Sequence, residues 1–189
     1  MKKIALFASG SGTNVQRIAE YFRDNKKVDI AAVFTNNPDA GVLRRAAKLG
    51  LTSVIFNRTD LYQTDKVLKF LKALEPDLIV LAGFLWLVPD NIINNYQNRI
   101  INIHPALLPK YGGKGMYGHH VHESVIHNKE EKSGITIHYV NEKYDEGQMI
   151  FQAEVKVDTG ETPDSLASKI HELEYEHFPV IIEKVLLGK

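Results

Sequence analysis

Cysteine is absent from this chain, which removes disulfides, thiolate nucleophiles and cysteine-rich zinc sites together and suits a reducing compartment. An excess of either charge is missing too. The 23 Lys and Arg residues stand against 23 Asp and Glu, so no chain-wide basic field argues for nucleic acid. No apolar stretch approaches the ~20 residues of a membrane span. Met1-Lys2-Lys3 leads through a short apolar run into a glycine turn, not into a signal-peptide core. These absences predict a cytoplasmic protein that binds small molecules, with neither nucleic acid nor membrane as partner. With 189 residues, 44% of them hydrophobic, the chain can bury a sizeable core, and residues 1–189 are expected to form one domain.

Apolar runs alternate with helical patterns along most of the sequence. Strands are expected at Ile4–Ala8, Ile30–Phe34, Ser53–Phe56, Leu78–Leu81 and Ile100–Ile103, and helices at Asn14–Asp24, Gly41–Leu49 and Lys66–Leu74. Such alternation indicates right-handed βαβ units. After Gly134 the pattern changes: Ile135, Ile137 and Tyr139 alternate with Thr136, His138 and Val140, and a second β-rich run covers Met149–Val157 with Asp145-Glu146-Gly147 as the turn. The expected fold class is therefore α/β, a Rossmann-like, mostly parallel sheet with an antiparallel C-terminal extension. Thr162-Pro163-Asp164 marks the start of a last helix carrying Leu166, Ile170, Leu173 and Glu174.

Asn102-Ile103-His104-Pro105 carries the most chemistry. If Ile100–Ile103 ends a strand, period-two geometry points Asn102 and His104 the same way. An amide donor and an acid/base then converge outside the carboxyl end of a strand, where α/β sheets bind ligands and where oxyanion chemistry is plausible. Asp145 has two readings, a turn residue or a carboxylate that approaches His104 and raises its imidazole pKa. Tyr111–Gly118, rich in glycine, reads as a loop following the strand, either a surface connection or a lid.

Ser9-Gly10-Ser11-Gly12-Thr13-Asn14 joins the first strand to a helix, the layout that offers backbone N–H groups to a phosphate. Val15 stands where a dinucleotide fingerprint needs its third glycine, and Thr35-Asn36-Asn37 where it needs an acid, which disfavours NAD. No Gly-Lys-Ser/Thr ending makes a P-loop, so a monophosphate fits better. His119, His120 and His122 lack metal-ligand spacing and read as a helix start with a solvated face. His138 reads as a core-edge residue.

In order and spacing these motifs, with Leu81-Ala82-Gly83-Phe84, Asn102 to Tyr111, Gly134 to Val140, Asp145 with Gly147, and Glu174 before Phe178-Pro179, resemble the phosphoribosylglycinamide formyltransferases over essentially the whole chain. The resemblance implies formyl transfer from 10-formyltetrahydrofolate, as co-substrate and without metal, to the amine of glycinamide ribonucleotide in purine synthesis. It implies catalysis by Asn102, His104 and Asp145, with His104 protonated as an oxyanion donor. It implies ribonucleotide binding by Gly12, Thr13, Asn14 and Glu174, and folate binding by Leu85, Trp86, Leu87, Val140, Asn141 and Tyr144. Trp86 departs from the pattern, standing where a basic residue is expected; its aromatic face is expected to stack on the flat part of the folate. Formyltetrahydrofolate hydrolases and methionyl-tRNA formyltransferases share the Asn-x-His-Pro core but usually bring further domains, which a chain of 189 residues is not expected to hold. A non-enzymatic nucleotide-binding module is the alternative of another class.

Overall fold

The computed structural model describes residues 1–188. Its elements follow in the order β1 (Lys2–Phe7), α1 (Thr13–Phe22), β2 (Val28–Thr35), α2 (Gly41–Lys48), β3 (Ser53–Ile55), α3 (Arg58–Tyr62), α4 (Lys66–Leu74) and β4 (Leu78–Leu81). The second half adds α5 (Asp90–Asn95), β5 (Ile100–His104), α6 (His119–His127), β6 (Lys132–Tyr139), β7 (Met149–Lys156) and α7 (Pro163–Leu187). Among the described residues one sheet of order β3-β2-β1-β4-β5-β6-β7 holds all the strands. The pairs from β3 through β5 are parallel, and β5–β6 and β6–β7 are antiparallel, as the change of pattern after Gly134 predicts.

Strand alternation feeds two apolar cores, one on each face of the sheet. Ile4 and Leu6 of β1 join Val15, Ile18 and Phe178 on one side. Ala5 and Phe7 join Phe34, Leu71 and Ile92 on the other, where the Phe7 and Phe34 rings stack 4.7 Å apart. Chain order reverses between β1 and β4, and their carboxyl ends are tied together: Ser9 N–H donates to the Gly83 carbonyl at 2.9 Å and Leu85 N–H to Ser9 Oγ at 3.0 Å. A crevice at this switch point is where doubly wound sheets bind ligands.

α7 starts where the sequence predicts. Thr162 and Ser165 form a reciprocal capping box and Pro163 stands in the first turn, where its missing N–H is no loss. Leu166, Ile170, Glu174 and Phe178, four residues apart, lie on one buried face. Glu174 is thus a carboxylate at a core-facing position.

Two short helices, α3 and α5, fall outside the sequence reading, each too brief to show a 3.6-residue period. The β6–β7 connection is also longer than the three-residue turn expected, running from 140 to 148. Gly147 lies against β6 so closely that an added Cβ would sit 1.7 Å from the Tyr139 carbonyl oxygen. Only glycine fits there, and the close approach sets the path of the loop that carries Asp145.

Candidate active site

A cavity of about 520 Å³ opens at the carboxyl ends of β1, β4 and β5. Its walls include Gly12, Thr13, Asn14 and Glu174 at one end, Leu85, Trp86, Leu87, Val140 and Tyr144 at the other, and Asn102, His104 and Asp145 besides. All three residues expected to be catalytic, all four expected to bind the ribonucleotide and five of the six expected to bind folate therefore share one cavity. Asn141 is the exception: it does not line the cavity, and its side chain accepts the Lys143 N–H at 3.0 Å in a local turn.

The cluster is organised around Asp145. Its Oδ1 faces Asn102 Nδ2 at 3.5 Å, His104 Nδ1 at 3.6 Å and His138 Nε2 at 3.6 Å. These separations lie at or beyond the limit of a direct hydrogen bond. Its Oδ2 accepts the Gly113 N–H at 2.9 Å. His104 is 3% exposed, and its Nε2 donates to the Tyr111 carbonyl at 2.7 Å. A carbonyl can only accept, so Nε2 carries a proton and Nδ1 is the nitrogen turned toward Asp145. Both ends of the 111–113 segment are thereby pinned to the cluster.

Asp145 pulls the His104 pKa upward as expected, but the expectation of a protonated ring needs correction. Burial is the largest influence and lowers the pKa; Asp145 and the Tyr111 carbonyl pull upward without overcoming that, so the net direction is down. In the free site the ring is neutral at pH 7, not protonated as the sequence reading has it. Asp145 moves the other way from its own burial. Enclosure would raise its carboxyl, but His138, His104 and the Gly113 N–H outweigh this and hold it below the ordinary carboxylate range.

His138 is a site residue that sequence reasoning set aside. It pairs directly with Asn102 across the β5–β6 ladder. Its Nδ1 donates to the Tyr139 carbonyl at 2.8 Å, so its Nε2 accepts from Asn102 Nδ2 at 3.1 Å. That bond fixes which way the Asn102 amide faces. The signal lay in the alternation of β6 once paired antiparallel to β5.

At the other end, Gly12 caps α1 with φ 77° and no side chain caps the helix, which leaves the first-turn N–H groups available to an anion. The Asn14 side chain is committed elsewhere: Nδ2 donates to Glu174 Oε2 at 2.9 Å. His171 Nδ1 lies 3.0 Å from the same oxygen, and the Glu174 carboxylate raises the His171 pKa. His122 contradicts the solvated reading of its cluster. It is 3% exposed and lines the cavity, and burial pushes its imidazole down to about 4. His119 and His120 do face solvent.

Gly12 also has a packing role that the sequence does not reveal. An added Cβ would lie 2.4 Å from Val42 Cγ2. Gly12→Ala is therefore expected to destabilise the fold by about 1–3 kcal/mol through overpacking between α1 and α2, besides perturbing the turn. A lower denaturant midpoint checks this.

Trp86 sits among Phe56, Tyr62 and Phe84. The Arg58 guanidinium of α3 lies 4.8 Å from the centre of its ring, a cation–π contact. A cation thus stands beside position 86 although the side chain there is neutral.

A doubly wound α/β domain with a cavity at its switch point is the class that fold and site define. The family model for formyl transferases matches residues 2–182. A chloroplastic phosphoribosylglycinamide formyltransferase of Arabidopsis thaliana is 35% identical over 96% of this chain and 64% of its own length. The Bacillus subtilis phosphoribosylglycinamide formyltransferase is 33% identical over 98% of this chain and 95% of its own. A crystal structure of the Streptococcus pneumoniae phosphoribosylglycinamide formyltransferase superposes with TM-score 0.87 at 35% identity, covering 98% of this chain and 99% of that one. The chain belongs to the formyl transferase family and, within it, to the phosphoribosylglycinamide formyltransferases. It spans less than two thirds of the Arabidopsis relative's length.

Proposed function

We propose that the protein, as one functional domain over residues 1–189, transfers the formyl group of 10-formyltetrahydrofolate to the amine of glycinamide ribonucleotide in purine synthesis. The observation that carries this reading is the position of the Asn102–His104–Asp145 cluster in a cavity with an uncapped helix N-terminus and a buried carboxylate at one end and an aromatic wall at the other. The first end suits a phosphorylated sugar, and the wall of Phe84, Leu85, Trp86 and Val140 suits a flat heteroaromatic ring.

The chemistry follows from the donors. The substrate amine attacks the formyl carbon, a new C–N bond forms and the carbonyl π pair becomes an oxyanion. Asn102 Nδ2 donates to that oxygen. His104 has only Nδ1 to offer, because Nε2–H is taken by Tyr111, and Nδ1 can donate only as imidazolium. The ring takes that extra proton from solvent before attack and keeps it through the step, the developing negative charge beside it and Asp145 offsetting what burial removes. The proton lost by the attacking nitrogen passes through the Asp145 cluster to the departing folate nitrogen as the old C–N bond breaks. No covalent enzyme intermediate is needed.

Steady-state turnover that requires both substrates, with tetrahydrofolate released only when the ribonucleotide is present, tests the reading. Release of tetrahydrofolate at the same rate without the ribonucleotide would identify a hydrolase. For the folate end, Trp86→Ala is expected to weaken folate binding about 2- to 10-fold by removing an aromatic wall, leaving ribonucleotide binding unchanged. Unaltered folate affinity in a titration would show that the ring only seats Arg58.

A further inference from the structure

The cavity end around Glu174 contains polar atoms that the fold leaves unsatisfied. His122 is 3% exposed and lines the cavity, and among the described residues its enclosed Nδ1 has no hydrogen-bond partner. Asn14 Oδ1 is likewise enclosed and unpartnered. Glu174 Oε2 accepts from Asn14 Nδ2 and lies within hydrogen-bond distance of His171 Nδ1. α6, which carries His122, packs against α7, which carries Glu174 and His171.

An unpaired polar atom in such a place costs stability, and an apolar side chain of similar shape would remove the cost. Val121 and Val125 already supply the apolar packing of α6, so the imidazole adds nothing to the core that a leucine could not. A ligand group in the cavity that pairs with these atoms would remove the cost instead. A neutral imidazole offers one donor and one acceptor, an amide oxygen accepts, and a carboxylate accepts. The ligand group that both donates and accepts, and so suits all three, is the hydroxyl.

We infer that His122 is a substrate-binding residue that recognises a sugar hydroxyl, acting with Glu174 at the polar end of the cavity. The inference rests on the ribonucleotide reading proposed above and adds to it a residue that discriminates between sugars.

Calorimetric titration of the wild type, His122→Leu and His122→Gln with glycinamide ribonucleotide, combined with thermal unfolding of each, tests it. His122→Leu is expected to bind the ribonucleotide about tenfold more weakly, with folate affinity unchanged and a Tm equal to or above wild type, because the unpaired nitrogen is gone. His122→Gln, which can still donate and accept, is expected to recover part of the binding. Ribose 5-phosphate should bind the wild type more tightly than 2-deoxyribose 5-phosphate, and His122→Leu should narrow that difference. Wild-type ribonucleotide affinity in both variants, whatever their Tm, would overturn the inference and make His122 a structural residue. A wild type that does not bind glycinamide ribonucleotide would overturn the functional reading along with it.

Discussion

Replacing Asp145 with asparagine is expected to reduce turnover by about 10²- to 10⁴-fold, the usual contribution of a positioned acid/base, with much smaller changes in the affinity of either substrate. Two effects combine. The carboxylate is the leading influence that pulls the His104 pKa upward, so its loss lets burial push the imidazole lower still and makes the oxyanion-donating imidazolium harder to reach. In the proposed chemistry the proton relay disappears as well. Asparagine keeps an oxygen for the Gly113 N–H that Asp145 now accepts, so the 111–113 segment should stay in place. The check has two parts: kcat against KM at saturating substrate, and the His104 imidazole pKa followed by NMR. Wild-type turnover across pH 6 to 9 would reduce Asp145 to a turn residue.

Asn102→Ala is expected to lower kcat by about 10²- to 10³-fold, the typical cost of one lost oxyanion donor. The amide is held on its far side by His138 Nε2 at 3.1 Å, so the substitution also leaves a buried imidazole nitrogen unpaired. The stability loss and the catalytic loss can be separated. His138→Ala removes the orienting partner and keeps the donor, and should cost less in kcat than Asn102→Ala. Equal kcat losses in the two variants would mean that the amide matters only as part of the buried hydrogen-bond pair.

The pattern of the chain carries much of this arrangement. Period-two alternation at Ile100–Ile103 is enough to point Asn102 and His104 the same way, and both line the cavity. The glycine turn, the Thr162-Pro163 helix start and the antiparallel extension are local signals of the same kind, written in turn and cap chemistry. What escapes the sequence depends on tertiary depth or on pairing. The net direction of the His104 pKa depends on how fully the ring is enclosed, which no spacing encodes. His138 becomes a site residue only through the register that sets it opposite Asn102. His122 differs from His119 and His120 because of the face that α6 turns inward, and that face is chosen by α7. The short α3, lacking a visible period, hides the Arg58 that stacks on Trp86.

Under the proposed function this site moves a formyl group onto an amine. Incubation with glycinamide ribonucleotide and 10-formyltetrahydrofolate labelled with carbon-13 at the formyl carbon, followed by mass spectrometry of the ribonucleotide, tests it most directly. The proposed chemistry predicts a ribonucleotide heavier by one labelled formyl group in place of one amine hydrogen, with the label lost from the folate at the same rate and the transfer strongly reduced in Asp145→Asn. Label recovered as formate, with the ribonucleotide mass unchanged, would contradict it.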